Sequence, residues 1–411
     1  MSKLGIKSFV SSSKAIGAVL LISGTSIGGG MLALPVATSK MGLVPSNLLF
    51  LITWLAMTFT AFLMLECNLS VKNNPNLISM SRKTLGLPGK TIAWCSYLLL
   101  LYSLLAAYIS GTSSLISGAF QAFSIDSLSK IFIQIGVLLS VGLIVLFGIR
   151  FVDRINRYLI LCGVLCYFFL LFSLTPHIEF SRYFRSDFSS MSVAFPITVT
   201  AFGFHIIIPV LVRYLDRNVQ MLKSCLLIGS TIPLLIYLGW QISVQGALPF
   251  EGVNGLALIT QGENQLQALI HSLSEITGSA IIARIASFFC AFAILTSLLG
   301  VSISLWDFFR DLFAFDSEAI KYKVVLTFFT FVPAFLLVVW FSEAFTELLG
   351  FAGIFVSILL GLLPIAMCFK GRKQKGWGEE LSIGGGNAAL LSAAVFFLLV
   401  IFIEMRALNL F

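Results

Sequence analysis

The residues best suited to bind a small polar ligand form a run of glycines and hydroxyls inside an apolar stretch. The run reads Gly24-Thr25-Ser26-Ile27-Gly28-Gly29-Gly30. Its four glycines, which Pro35 follows, destabilise a helix by roughly 1 kcal/mol each relative to alanine. A helix broken here has free N–H groups on one side and free carbonyls on the other, and these groups bind carboxylates and cations. The alternative is close helix packing through small residues.

A weaker interruption lies near the middle of the chain. It consists of Phe202, Gly203, Phe204 and His205, followed by Pro209. An ionisable side chain inside an apolar segment is costly to bury and is usually functional. Because histidine titrates close to neutral pH, His205 is a candidate proton carrier. The alternative is a structural histidine that bonds a neighbouring carbonyl.

Two further pairs of polar side chains lie in apolar segments. The hydroxyls of Thr296 and Ser297 could supply oxygen ligands to a sodium ion or contact a substrate. They could equally bond the carbonyls of their own helix. Tyr97 and Tyr108 are eleven residues apart, a spacing that returns to one helix face. They could reach a ligand, or they could pack.

The composition shows where these residues must lie. The chain has 411 residues, of which 58% are hydrophobic and 11% charged, and its mean hydropathy is +1.01. Soluble domains average roughly 45–50% apolar and about 25% charged residues. A water-soluble protein of this size would lack the charge to cover its surface, and a disordered chain would be far less apolar. The sequence predicts an all-α polytopic membrane protein.

A helix needs about 20 mostly apolar residues to cross a bilayer. Eleven stretches meet this requirement, with approximate bounds 15–38, 43–65, 91–119, 131–149, 155–175, 191–212, 224–247, 280–306, 324–341, 347–369 and 388–408. These spans account for most of the chain, so no soluble domain is predicted.

The two interruptions fall in the first and sixth predicted spans. Residues 15–175 and 191–369 would then form two five-helix halves, each opening with a broken helix. Because each half has an odd number of spans, the second half is inverted relative to the first. An inverted repeat with a site near the bilayer midplane is typical of secondary transporters. The eleventh span, 388–408, lies outside this 5+5 repeat.

Basic residues predict the orientation of the chain. Twenty of the 26 Lys and Arg residues fall on one side of the predicted spans and six on the other. Cytoplasmic loops retain positive charge, so residues 1–14 form a cytoplasmic N-terminus and the C-terminus is periplasmic. The basic residues would face anionic membrane lipid. They form no basic face or aromatic platform for a nucleic acid.

The longest predicted loop outside the membrane contains an amphipathic pattern. Leu266, Leu269, Ile270 and Leu273 follow the spacing of one helix face. We expect a short helix over the external vestibule, which would act as a gate or as a passive cover.

Several motifs together resemble those of the hydroxy/aromatic amino acid permease family, most closely its tyrosine-specific members. They occur in family order and spread across the chain. They are the segment from Gly24 to Pro35, Ala106-Ala107-Tyr108-Ile109-Ser110-Gly111, Pro176-His177-Ile178, Phe202-Gly203-Phe204-His205, and Leu295-Thr296-Ser297-Leu298-Leu299-Gly300 with Asp307 after it.

The resemblance implies a symporter of the inner (cytoplasmic) membrane with the leucine-transporter-type fold, importing an aromatic amino acid, with protons favoured over sodium. It also implies which residues bind the substrate. Those for the carboxylate and ammonium groups are Thr25, Ser26, Gly28, Gly29 and Gly30. Those around the substrate side chain are Phe202, Gly203, Phe204 and His205, flanked by Tyr108. No cofactor is implied.

The alternatives within transport are a permease for tryptophan or for serine and threonine, and coupling to sodium through Thr296 and Ser297. A membrane-embedded enzyme would need clustered His, Asp or Glu, but His205 stands alone at mid-span. No metal site is therefore predicted. An ion channel would show a pore loop or a ring of charges, and the sequence shows neither pattern.

Overall fold

The computed structural model describes eight stretches of the chain. They are 13–71, 75–122, 130–147, 149–188, 191–262, 264–313, 319–340 and 345–408. Residues 1–12, most of the predicted cytoplasmic N-terminus, lie outside the described residues. Every regular element within the described stretches is helical, which confirms the predicted all-α class.

The first part of the described chain holds seven α-helices and two short 3-10 turns. The helices are α1 (Ser13–Ser26), α2 (Gly30–Ala37), α3 (Leu43–Ser70), α4 (Leu77–Leu85), α5 (Leu87–Ala122), α6 (Lys130–Leu146) and α7 (Ile149–Leu174). The turns are Thr175–His177 and Phe180–Phe184.

The second part holds ten α-helices, one 3-10 turn and one π turn. The α-helices are α8 (Met191–Ala201), α9 (Ile208–Tyr214), α10 (Val219–Ala247), α11 (Leu256–Ile259), α12 (Gln265–Thr277), α13 (Ala280–Phe313), α14 (Ile320–Trp340), α15 (Phe345–Val356), α16 (Leu363–Gly371) and α17 (Gly386–Ala407). The 3-10 turn is His205–Ile207, and the π turn Ser357–Leu362 joins α15 to α16.

The number of membrane spans is close to the predicted eleven. Nine helical segments in the described chain are long and apolar enough to cross a bilayer, and α1 with α2 makes a tenth, bent by 51°. The predicted fourth span corresponds to α6, which has 17 residues, slightly fewer than the roughly 20 that a full crossing needs. The eleven-span count and the inverted repeat stay predictions.

Both broken helices pack at the centre of the bundle. Helix α10 packs along α1 and α3, α2 packs against α8, and α13 packs against α5 and α7. The largest fully buried side chains include Trp240 and Tyr237 on α10 and Phe202 just after α8. Large apolar side chains also cover the outside, where Phe147 and Phe172 are among the most exposed. In a bilayer these side chains contact lipid.

One carboxylate near the end of α3 accepts hydrogen bonds from the segment after α16. The buried Glu66 accepts hydrogen bonds from Arg372 Nε at 2.8 Å and Nη2 at 2.7 Å. It also accepts from Trp377 Nε1 at 3.1 Å and from the Ile383 amide at 2.8 Å. These bonds hold the connection between α16 and α17 against α3.

The predicted amphipathic helix is present as α12, and its predicted apolar face is buried. That face consists of Leu266, Leu269, Ile270 and Leu273. At the start of α12, Gln265 Oε1 accepts a hydrogen bond of 2.9 Å from the hydroxyl of Thr346, in the first turn of α15. Helix α12 also packs against α5 and α13.

Candidate substrate site

The first break separates α1 from α2 at the predicted glycine run. The chain leaves helical geometry at Ile27 and re-enters it at Gly30, and Gly28, Gly29 and Gly30 are all buried. The amide of Gly29 donates a hydrogen bond of 3.0 Å to Ser297 Oγ on α13. Ser297 Oγ in turn donates to the Ala293 carbonyl at 3.1 Å. The break is thus held by a side chain from a distant helix.

Close contacts explain why two positions of this break are glycine. A Cβ at Gly28 would collide with Ser297 Oγ, and a Cβ at Gly29 would lie 2.8 Å from Cε1 of the Tyr108 ring. By contrast, a Cβ at Gly24 would meet no non-neighbouring atom of the described chain within 4 Å. The structure therefore brings Gly28, Gly29, Tyr108 and Ser297 together.

The second break falls at the predicted position between α8 and α9. Helix α8 ends at Ala201, and Gly30 of the first break lies beside it, since a Cβ there would be 3.6 Å from Ala201 Cα. The rings of Phe202 and Phe204 are almost fully buried. Phe202 contacts the Tyr237 ring edge to face, with centroids 5.0 Å apart. The two breaks therefore adjoin each other.

Tyr237 on α10 connects the two breaks. Its hydroxyl donates towards the Ser26 carbonyl at 2.6 Å and the Ala201 carbonyl at 2.8 Å. Ser26 and Ala201 are the last residues of α1 and α8. The sequence does not single out Tyr237, because a tyrosine within a long apolar segment gives no signal that distinguishes it from a packing residue.

His205 is fully buried and turned towards α3. Its Nε2 lies 2.9 Å from the Thr60 hydroxyl, and its ring lies beside that of Phe204, with centroids 5.0 Å apart. Gly203, between the two phenylalanines, is half-buried. The contacts of His205 link the second break to α3, a helix that the sequence analysis did not associate with the site.

The remaining predicted residues, Thr25, Ser26 and Thr296, differ in their surroundings. Thr25 is exposed, and its hydroxyl donates to the Leu21 carbonyl of its own helix at 2.7 Å, so it does not join the contacts above. Ser26 is buried, and its Oγ has no partner among the described residues. Thr296 Oγ1 donates to the Ala293 carbonyl at 3.0 Å. Thr296 also lines a small cavity of about 80 Å³ together with Gly28.

A larger cavity opens beside the second break. Its volume is about 510 Å³, and its lining includes Tyr97, Ile206, Arg213 and Asp307. Arg213 and Asp307 lie towards the side that the basic residues predict to be cytoplasmic. On the opposite side, the start of α12 is bonded to its neighbours. Among the described residues, no group of three or more His, Cys, Asp or Glu side chains could hold a metal ion.

The paired breaks and the apolar helices define a polytopic membrane protein whose polar groups converge at mid-bundle. The sequence profile of the tryptophan/tyrosine permease family matches residues 11–405. The chain belongs to this family. It is therefore a multi-pass transport protein of the inner membrane and not an enzyme.

Individual relatives match over nearly their whole length. The tyrosine-specific transport system 1 of Haemophilus influenzae is 31% identical over 389 residues, which are 94% of this chain and 95% of that protein. The tryptophan-specific transport protein of the same organism is 30% identical over 404 residues, 95% and 96% of the two chains. Glutamine transporter 2 of Aliivibrio fischeri is 29% identical, over 94% and 98%.

Proposed function

We propose that this protein is a secondary active transporter that imports an aromatic amino acid by proton symport, with tyrosine as the preferred substrate. The observation that carries the proposal is the first break, where Gly28 and Gly29 are packed against Ser297 and Tyr108. Simple helix packing does not require an amide of the break to be bonded by a hydroxyl from another helix. A break in an apolar helix is tolerated where protein or a polar cavity surrounds it.

The half-helices suit both charged ends of an amino acid. The Gly29 amide bonds Ser297, and the Met31 and Leu32 amides bond the Gly28 and Gly29 carbonyls. The amides of Gly28 and Gly30, at the start of α2, would therefore hold the carboxylate. The carboxyl-terminal ends of α1 and α8 present the Ser26 and Ala201 carbonyls, which would hold the ammonium. A zwitterion then needs no fixed protein charge.

The aromatic side chain of the substrate would lie against Phe202 and Phe204. Ring contacts favour edge and offset geometries, and Phe202 already contacts Tyr237 edge to face. Tyr108 flanks the glycines from the other side. The relatives described above are named for tyrosine-specific and tryptophan-specific transport. Tryptophan, or serine and threonine, are the competing substrates.

Alternating access accounts for the cavity beside the second break. The cavity opens towards Arg213 and Asp307, whereas α12 is bonded to Thr346 and, through Asn264 just before it, to Ser114 on the opposite side. We infer an inward-facing arrangement with eleven spans, a leucine-transporter-type 5+5 inverted repeat, a cytoplasmic N-terminus and a periplasmic C-terminus. Helices α1 to α3 and α8 to α10 would rock against the others.

Proton coupling through His205 is favoured over sodium coupling. Ser297 Oγ accepts from Gly29 and donates to Ala293, and Thr296 Oγ1 donates to the same carbonyl. A donating hydroxyl keeps lone pairs that a cation can use, so the preference for protons rests on His205. His205 is a buried titratable ring at the second break, which suits a proton carrier.

The test is uptake of labelled L-tyrosine by proteoliposomes. We expect an inwardly directed proton gradient to drive uptake in sodium-free buffer, and excess unlabelled tyrosine to compete better than tryptophan, serine or threonine. Uptake that requires sodium at constant pH would refute proton coupling. Stronger competition by another amino acid would refute the preference for tyrosine.

A further inference from the structure

The hydroxyl of Tyr237 occupies the point where the two broken helices end. It lies 2.6 Å from the Ser26 carbonyl oxygen and 2.8 Å from the Ala201 carbonyl oxygen. The Tyr237 side chain is fully buried on α10, and its ring contacts Phe202. One side chain thus serves the carboxyl-terminal ends of both α1 and α8.

This point has fewer hydrogen-bond donors than acceptors. A phenol hydroxyl carries one hydrogen, so it donates to only one of the two carbonyls at a time. The nearby Ser26 Oγ is buried and has no partner among the described residues. Two helix carboxyl ends also concentrate negative partial charge here. A group with several N–H donors and a positive charge would match these acceptors better than the tyrosine hydroxyl does.

We propose that Tyr237 is a displaceable plug: in the substrate-free transporter the carboxyl-terminal ends of α1 and α8 share its one hydroxyl hydrogen, and the ammonium group of the amino acid takes its place on binding. This inference rests on the function proposed above and adds a positioning residue to it. The plug explains how the substrate-free transporter can pass through the closed state of its transport cycle, in which water does not reach the carbonyls. Buried carbonyls without a donor are strongly disfavoured, and the tyrosine hydroxyl supplies the donor when no substrate is present.

The plug predicts that two modes of transport respond differently to Tyr237→Phe. During exchange of labelled for unlabelled tyrosine, the loaded transporter crosses in both directions and the ammonium caps the helix ends. During net uptake, the Tyr237→Phe transporter must return without substrate, and neither carbonyl then has a donor. We therefore expect net uptake to fall by about tenfold. Exchange is expected to change by less than about threefold, with an unchanged or lower KM.

Tyr102→Phe is the matched control. The Tyr102 hydroxyl is also buried and donates to a single carbonyl, that of Phe329, at 2.5 Å. Loss of this bond is expected to leave the ratio of exchange to net uptake at the wild-type value. An equal loss of exchange and net uptake in Tyr237→Phe would overturn the plug in favour of a structural role. A raised KM for exchange would overturn it in favour of direct substrate binding.

A measurement on the intact hydroxyl covers the case in which Tyr237→Phe does not fold. With 3-fluorotyrosine incorporated at position 237, the fluorine resonance reports the surroundings of the phenol. We expect it to shift on saturation with L-tyrosine and to stay unchanged with 3-(4-hydroxyphenyl)propanoate, which lacks the ammonium. No shift with L-tyrosine overturns the plug while leaving the transport proposal intact. Failure of the wild type to exchange any aromatic amino acid overturns the transport proposal itself.

Discussion

The amide of Gly29 donates a hydrogen bond of 3.0 Å to Ser297 Oγ, a side chain 268 residues further along the chain. This bond joins the first broken helix to α13, which itself packs against α5 and α7. The geometry of the break is therefore fixed by the surrounding helices and not only by its own glycines. A site held in this way is preorganised for a ligand before the ligand arrives.

Ser297→Ala removes the acceptor of the Gly29 amide. A buried amide without a partner costs about 1–3 kcal/mol, and the first break loses the contact that fixes its geometry. We therefore expect the KM for tyrosine exchange to rise by roughly tenfold. Ser302→Ala is the matched control, because Ser302 is buried on the same helix and, among the described residues, its hydroxyl bonds only the Leu298 carbonyl of that helix. Equal KM values for the two variants would show that the Ser297 contact is not part of the site.

Phe202→Ala removes the ring that we place beside the substrate side chain. We expect competition by tyrosine and tryptophan to weaken by about tenfold, consistent with a ring contact plus lost apolar burial. Competition by serine is expected to change little. The control is Phe397→Ala, which removes an equally buried ring on α17. An unchanged order of competitors in Phe202→Ala would contradict the placement of the aromatic pocket.

His205→Gln removes a titratable ring but keeps a side chain that can bond the Thr60 hydroxyl, the partner of Nε2 at 2.9 Å. If His205 carries the proton, the variant will exchange tyrosine but will not accumulate it against a gradient at an imposed pH difference. His271→Gln, on the exposed face of α12, serves as control and should accumulate tyrosine normally. Accumulation by His205→Gln at the wild-type level would exclude this residue as the carrier.

Glu66→Ala leaves Arg372 and the Trp377 indole without their common acceptor. Breaking a buried ion pair by removing one partner costs about 3–5 kcal/mol, so we expect a clearly lower melting temperature in detergent. Asp153→Ala, which breaks the exposed pair with Arg157, is expected to cost about 0.5 kcal/mol or less. Similar melting temperatures for both variants would show that Glu66 does not anchor the segment after α16.

Local composition was enough to predict both breaks. Gly28, Gly29 and Gly30 interrupt an apolar segment of otherwise helical length, and the structure bends there by 51°. The apolar face of α12 was also predictable, because one helical repeat over Leu266 to Leu273 defines it. Both features depend on residues that are neighbours in sequence.

Other features depend on residues that are distant in sequence. Glu66 and Arg372 are 306 residues apart, so no local sequence pattern pairs them. Tyr237 likewise acquires its role only when α1 and α8 end beside it. Composition also does not show which side of a helix a residue faces. In α1, Ser26 faces inward with Ile22, whereas Thr25 faces outward with Leu21.

The central claim is that an amino acid binds at the first break, and the most direct test compares Gly29→Ala with Gly24→Ala in tyrosine counterflow. A Cβ at Gly29 would lie 2.8 Å from the Tyr108 ring, whereas one at Gly24 would meet no non-neighbouring atom of the described chain within 4 Å. Overpacking a buried site costs about 1–3 kcal/mol, so Gly29→Ala is predicted to lose about tenfold or more in counterflow rate. Gly24→Ala is predicted to stay within about twofold of wild type. Wild-type counterflow by Gly29→Ala would contradict the placement of the substrate.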